Sequence, residues 1–383
     1  MQITEKEKQE FKKIFGHDPE YAVRAPGRIN LIGEHTDYNE GYVLPVAIDR
    51  KITYIASVRQ DGRIALFSKN FNEKEEFSLK EIPSKKGNWG DYARGPLKIF
   101  LDKGFLVKGM NVFIEGDVPL ASGLSSSAAM EVGMSVLLKN INNLDIVPLD
   151  IIKMSQKAEN EFVGVSCGIM DQFASCLCKK NSALFLDCRD LEYKNISFDA
   201  GDAKLIVCNT KVKRELKDTA FNKRRQECSE AVNILGRYIP SIKSLRDVSI
   251  NDFQKYQEKL VGDTAKRCLH VLNENQRVLD AVKFIQNSEI EKFAQLLFES
   301  HKSLRDLYEV SCPELDAMVE ISLNEKGVLG ARMTGGGFGG CAIALVKKEN
   351  VAGFCRSVFD KYKNKTNIDP EIYPVEISDG AMN

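Results

Sequence analysis

Apolar residues along this chain switch between a period near 3.6 and a period of two, which predicts a mixture of helices and strands. Residues 4–15 place Phe11, Ile14 and Phe15 on one side of a short amphipathic helix that ends at Gly16. A strand over 21–25 follows, broken by Pro26-Gly27-Arg28. Apolar runs at Ile29, Leu31 and Ile32 and at 42–48 anchor a polar loop, and strands are expected at 51–58 and 63–68. The Lys/Glu-rich piece at 72–87 reads as exposed. A helix begins at Trp89, carries Tyr92, Leu97, Ile99 and Phe100, and closes at Gly104. Alternating Met110, Val112 and Ile114 form a strand, and a loop leads from it into a helix through Val132, Val136 and Leu137. Residues 149–162 are helical, and strands at 182–187 and 203–209 flank a turn-rich region. A boundary near residue 200 gives units 1–200 and 201–383. The second is mostly helical from 219, with helices at 265–286, 289–308 and 313–325, then a strand at 342–346, a helix at 350–363 and a strand at 371–377.

The loop between strand and helix runs Ala121-Ser122-Gly123-Leu124-Ser125-Ser126-Ser127. Small residues there let backbone N–H groups approach an anion, and the helix start adds the positive end of a dipole. It reads as a phosphate cradle, although a serine turn of this kind also serves as an ordinary helix cap. No lysine follows the last glycine, so it is not a Walker A loop. The serine hydroxyls can bond phosphate oxygens or ligate Mg²⁺.

The densest polar cluster is Arg28, Asn30, Glu34, His35, Thr36, Asp37 and Asn39. Two carboxylates and a histidine in a loop anchored at both ends suit a ligand with many hydroxyls. The same residues would equally make a solvated turn with Asx caps.

Composition narrows the partner. Lys plus Arg and Asp plus Glu are 54 each in 383 residues, so no overall field recruits nucleic acid or an anionic membrane. The N-terminal ten residues are charged, and no apolar run approaches a membrane span, which leads to the expectation of a cytoplasmic chain. The ten cysteines show no zinc-type pairing and read as reduced, mostly buried thiols.

Ala25-Pro-Gly-Arg-Ile-Asn-Leu-Ile-Gly-Glu-His-Thr-Asp-Tyr-Asn-Glu-Gly41, followed by Val43-Leu-Pro45, resembles the N-terminal signature of galactokinases, members of the GHMP small-molecule kinases. The loop Pro119-Leu-Ala-Ser-Gly-Leu-Ser-Ser-Ser-Ala128 is similar to that superfamily's ATP-binding motif, and Gly330-Ala-Arg-Met-Thr-Gly-Gly-Gly-Phe-Gly-Gly-Cys341 to its third motif. The resemblance spans about residues 20 to 378. It implies an α+β, two-domain fold: an N-terminal domain of the ribosomal-S5 type, a C-terminal α+β GHMP domain, and an active site in the cleft between them.

The resemblance implies ATP-dependent phosphorylation of galactose at C1, with ATP and Mg²⁺ as cofactors. Asp171, in Cys-Gly-Ile-Met-Asp-Gln-Phe, would be the catalytic carboxylate, with Arg28 holding it ionised or stabilising the transferred phosphoryl. Glu34, His35, Thr36, Asp37, Gly168 and Phe221 would hold the sugar. Residues 121–127 would hold phosphates, Trp89 would stack on adenine, and Ser68 is a candidate for the same pocket. Ser127 and Glu159 would ligate Mg²⁺. Two departures stand out: Ser166, where many relatives carry Asn, and Phe221, where the family usually has Tyr; the latter bears on sugar specificity. A kinase for arabinose or N-acetylgalactosamine, or a non-catalytic sugar sensor, are the alternatives. The expected partners are sugar and ATP, with the chain as a monomer.

Overall fold

The structure, a computed structural model, describes residues 2–119, 122–212 and 217–383. Helix α1 (Glu5–Phe15) opens on Thr4, whose hydroxyl accepts from the Glu7 amide while the Glu7 carboxylate takes the Thr4 N–H. It closes at Gly16 in the left-handed region, so both ends satisfy their free backbone groups. Strand β1 (Tyr21–Asn30) does not break at Pro26-Gly27 as the sequence suggested. Its register against β3 (Pro45–Arg59), which follows the short β2 (Tyr42–Val43), shifts between Pro26 and Arg28. A Cβ on Gly27 would lie 2.7 Å from the Leu124 carbonyl, so the proline and glycine mark a bulge in a continuing strand where the serine loop presses on the backbone.

Next come β4 (Arg63–Ser68), β5 (Glu73–Ser78), α2 (Asp91–Asp102), β6 (Gly109–Gly116) and α3 (Ser126–Asn142). The sheet order is β1-β3-β6-β4-β5, with β4 and β6 parallel and the other pairs antiparallel. Met110, Val112 and Ile114 of β6 face the main core, while Phe113 faces α1 with Ile55 and Phe11. The alternation read from sequence is this two-sided burial. Helix α3 is buried nearly all round and packs on β1 and β3.

Helix α4 (Pro148–Lys157) continues as a π-helical turn, Ala158–Val163, before α5 (Met170–Leu177). Strands β7 (Ser182–Asp187) and β8 (Tyr193–Ser197) join β2 in a small sheet, and β9 (Ala203–Asn209) begins another. Helices α6 (Lys217–Leu235), α7 (Ile250–Tyr256), α8 (Thr264–Gln286), α9 (Ile290–Ser303) and α10 (Pro313–Leu323) follow; α9 extends through a π-helical turn, Leu304–Tyr308. Strands β10 (Val328–Thr334) and β11 (Cys341–Lys347), helix α11 (Val351–Thr366) and β12 (Glu371–Val375) complete a sheet ordered β10-β11-β9-β12. In β11, Cys341, Ile343 and Leu345 point into the main core, while Ala342, Ala344 and Val346 pack on α10 and α11. Both faces are covered, which is why the strand reads as an unbroken apolar run.

Strands β5, β8 and β10 were not expected from sequence. Only Phe77 of β5 and Ile196 of β8 are buried, and charged residues on exposed edges hide the alternation. In β10, Gly330 lies so close to α9 that a Cβ would meet the Ala294 carbonyl at 2.3 Å. All ten cysteines are free. Among the described residues, no helix is long and apolar enough to cross a membrane.

Candidate active site

A cavity of about 840 Å³ draws its wall from β1, the loop after it, the serine loop, the π-helical turn, α5 and Gly335-Gly336. Asp171 sits in the first turn of α5 with its side chain 26% exposed. Arg28, near the end of β1, reaches Asp171 Oδ1 with Nε at 2.8 Å and Nη2 at 2.7 Å, and donates from Nη1 to the Gly123 carbonyl at 2.6 Å. The Ser125 hydroxyl donates to Asp171 Oδ2. Ser125 itself has φ 60°, a conformation costly for a side chain other than glycine, and its hydroxyl serves Asp171 instead of capping α3. Two segments far from α5 in sequence thus fix one carboxylate by charge-assisted hydrogen bonds.

The loop after β1 forms the next part of the wall. Glu34 is buried and accepts from Asn30 Nδ2 at 2.7 Å, Thr334 Oγ1 at 3.1 Å and the Gly335 N–H at 2.6 Å, with Arg332 Nη2 at 3.5 Å. His35 takes a left-handed conformation. Its Nδ1 lies 2.8 Å from the Tyr38 hydroxyl, which lies 2.9 Å from that of Tyr308. Burial, helped by nearby His270 and Arg224, pushes the His35 pKa well down and keeps the imidazole neutral. Its Nε2 is buried with no hydrogen-bond partner among the described residues, an atom that a bound hydroxyl would satisfy. Burial, with Asp171 and Glu34 close by, raises Asp37 to about 6. Gly168 leaves room for it: a Cβ there would stand 1.7 Å from Asp37 Oδ2. Phe221 closes this end, its ring centroid 5.7 Å from His35 and 5.2 Å from Tyr38.

At the other end, Trp89 donates from Nε1 to Glu73 at 2.7 Å and lies parallel to Phe71, with 8° between planes and 6.3 Å between centroids. Gly123, Ser125, Ser126, Ser127 and Glu159 line the stretch between. Glu159 accepts from Gln172 Nε2 at 2.7 Å. Glu131 lies behind it, fully buried, and burial with the Glu159 charge pushes its pKa well up. One carboxylate and one serine hydroxyl on a shared wall fit Mg²⁺, a hard ion that takes few protein ligands and completes its shell with phosphate and water. Among the described residues, no group of three or more His, Cys, Asp or Glu is arranged as a metal cage.

Four of the expected residues do not reach this wall. The Thr36 hydroxyl is buried against the carbonyls of Gly33, at 2.8 Å, and Tyr42, at 2.6 Å. Ser122 donates to the Pro119 carbonyl at 2.7 Å, while Leu124 and Ser68 are buried in the fold. Ala121 lies outside the described residues. Conversely, the piece at 72–87, expected to be wholly exposed, contributes Glu73, Lys85 and Gly87 to the cavity, beside Phe71 just before it. No periodicity marks those positions, because they face a cavity and not a core. Tyr38 was in plain view within the polar loop, but only its bond to Tyr308 shows what it supports.

Residues 9–58 match the galactokinase galactose-binding signature, 91–179 the N-terminal domain of GHMP kinases and 281–364 their C-terminal domain. The chain is 41% identical over 379 residues to a galactokinase of Fusobacterium nucleatum, covering 97% of each. It is 42% identical over 377 residues to a galactokinase of Clostridium tetani, covering 98% of this chain and 96% of the other. The crystal structure of Lactococcus lactis galactokinase complexed with galactose matches with a TM-score of 0.93 at 38% identity, over 97% of both chains. A mevalonate kinase, 22% identical with a TM-score of 0.65 over 94% of this chain and 100% of the other, shares the fold.

Proposed function

Because the chain belongs to the galactokinase family of GHMP kinases, we propose that it transfers the γ-phosphoryl group of ATP to the C1 hydroxyl of α-D-galactose, releasing galactose 1-phosphate and ADP. Asp171 carries the site reading: a carboxylate held by Arg28 and Ser125 faces a cavity shared by a hydroxyl-binding loop and a serine-rich helix start. Glu34, the neutral His35, Asp37 and Gly168 receive the sugar, with Phe221 as an apolar wall that offers no hydroxyl. Asp171 accepts a hydrogen bond from the attacking hydroxyl and takes its proton as the new O–P bond forms. Arg28 holds the Asp171 carboxylate in place and adds positive charge beside the phosphoryl in transit. Gly123 and the serine loop cradle the phosphates, and Trp89 flanks the base. Ser127 and Glu159 would hold Mg²⁺, which when bound offsets charge on the phosphate oxygens.

The two halves, 1–200 and 201–383, are proposed as the two domains, with the cavity between them. An ADP-release assay with ATP and Mg²⁺ tests the reading against galactose, 2-deoxygalactose, N-acetylgalactosamine, arabinose and glucose. Turnover fastest on galactose is expected. Turnover confined to another sugar would move the substrate and leave the phosphoryl chemistry; binding of ATP with no turnover on any sugar would overturn the kinase reading.

A further inference from the structure

Among the described residues that line the cavity, two are cations, Arg28 and Lys85, against six carboxylates: Glu34, Asp37, Glu73, Asp91, Glu159 and Asp171. A nucleoside triphosphate brings further negative charge to this wall, and the serine loop has hydroxyls and N–H groups but no lysine. Arg28 is committed to Asp171 and to the Gly123 carbonyl. Lys85 is differently placed. Its ammonium donates to the carbonyl of Val163, a neutral acceptor, and among the described residues it forms no ion pair.

The backbone beside Lys85 is held firmly. The Asp91 carboxylate accepts the N–H groups of Lys86 at 3.0 Å, Gly87 at 2.6 Å and Asn88 at 3.2 Å. Val163 ends the π-helical turn that carries Glu159, so the lysine spans from the Trp89 side of the cavity to the side where the phosphates would lie.

Resting on the ATP reading above, we propose that Lys85 is a phosphate-binding residue that exchanges the Val163 carbonyl for a phosphate oxygen of the nucleotide. An ammonium bonds an ionised phosphate more strongly than a neutral carbonyl. A Walker A loop supplies its lysine from within; here the cation comes from a segment well before the serine loop in sequence that lines the same cavity.

Trp89 is the chain's one tryptophan and lies at the base-binding end, so its fluorescence, with calorimetry as a second measurement, reports nucleotide binding without turnover. The full chain with Mg²⁺ is titrated with ADP and with adenosine, as wild type, Lys85→Met and Lys85→Arg. Lys85→Met is expected to weaken ADP by about tenfold or more and to leave adenosine unchanged, as for loss of a charge-assisted hydrogen bond. Lys85→Arg should recover most of the loss. Equal ADP affinity in Lys85→Met and wild type would overturn the proposal. So would an equal loss for adenosine, which would make the lysine a latch between two segments. A folded wild type that binds neither ADP nor ATP would instead overturn the ATP reading, and the inference with it.

Discussion

At the scale of single residues, the site depends on which groups are charged and what holds them. Asp171 has two cationic nitrogens of Arg28 and a serine hydroxyl on its carboxylate, with its exposed side on the cavity. Asp171→Asn keeps the shape and loses the proton acceptor, so kcat should fall between about 10²- and 10⁴-fold with nucleotide binding by Trp89 fluorescence unchanged. Retention of roughly a tenth of the wild-type kcat would remove Asp171 from that role. Asp37 behaves differently. Burial and neighbouring carboxylates raise it to about 6 from an ordinary value of 3.8, so the folded chain binds this proton more tightly than the unfolded chain. Its charged form therefore costs stability above pH 6, and the cost shrinks as pH falls towards 4. Asp37→Asn should raise Tm at pH 7.5, converge with wild type near pH 4, and weaken galactose at neutral pH; a Tm gain that did not shrink on acidification would contradict this assignment.

At the scale of elements, the Trp89 end of the cavity, proposed to bind the base, depends on α2 and the segment before it. Arg94 of α2 is fully buried, with Nη1 on Glu75 of β5 and Nη2 on Asp91 and Asn88. Arg94→Met removes a buried guanidinium from Glu75 and Asp91, which keep only Lys86, the Asn88 amide and backbone N–H groups, a loss of about 1.5–3 kcal/mol. It should lower Tm by several degrees and weaken ADP while galactose affinity holds. A variant with unchanged ADP affinity would separate the segment at 86–91 from nucleotide binding. The helices α1, α3 and α11 were legible because an apolar stripe or run repeats at helical spacing, and the core strands β6 and β11 because their apolar residues stand out. The edge strand β5 was not, because Glu-Lys-Glu-Glu-Phe-Ser buries one apolar side chain and spends its acids on Arg59, Arg63, Trp89 and Arg94.

At the scale of the molecule, the two halves share one core. Phe293, Leu297, Ile343, Leu345 and Val375 pack in the same cluster as Val23, Tyr54, Leu137 and Phe173. The C-terminal residues return to the N-terminal half, where Ser378 N–H donates to Ala47 at 3.0 Å and Gly380 N–H to Cys178 at 2.7 Å. Residues 1–200 expressed alone should therefore show no cooperative thermal transition and should bind a hydrophobic dye; a sharp, reversible melt would show that this half folds by itself.

The sequence by itself determined the local pieces: the anchored polar loop at 34–39, the small-residue turn at a helix start, the covered strands and a serine loop with no lysine of its own. Those follow from side-chain size, spacing and polarity within a few residues of each other. Arg28 and Asp171 stand 143 residues apart, and Glu34 and Gly335 301 apart. Only the tertiary structure decided those pairings, as it decided that Thr36 and Ser122 turn inward and that Lys85 enters the cavity. The physical reason is distance along the chain: a hydrogen bond or a buried charge answers to neighbours in space, and local periodicity carries no record of which remote segment packs there.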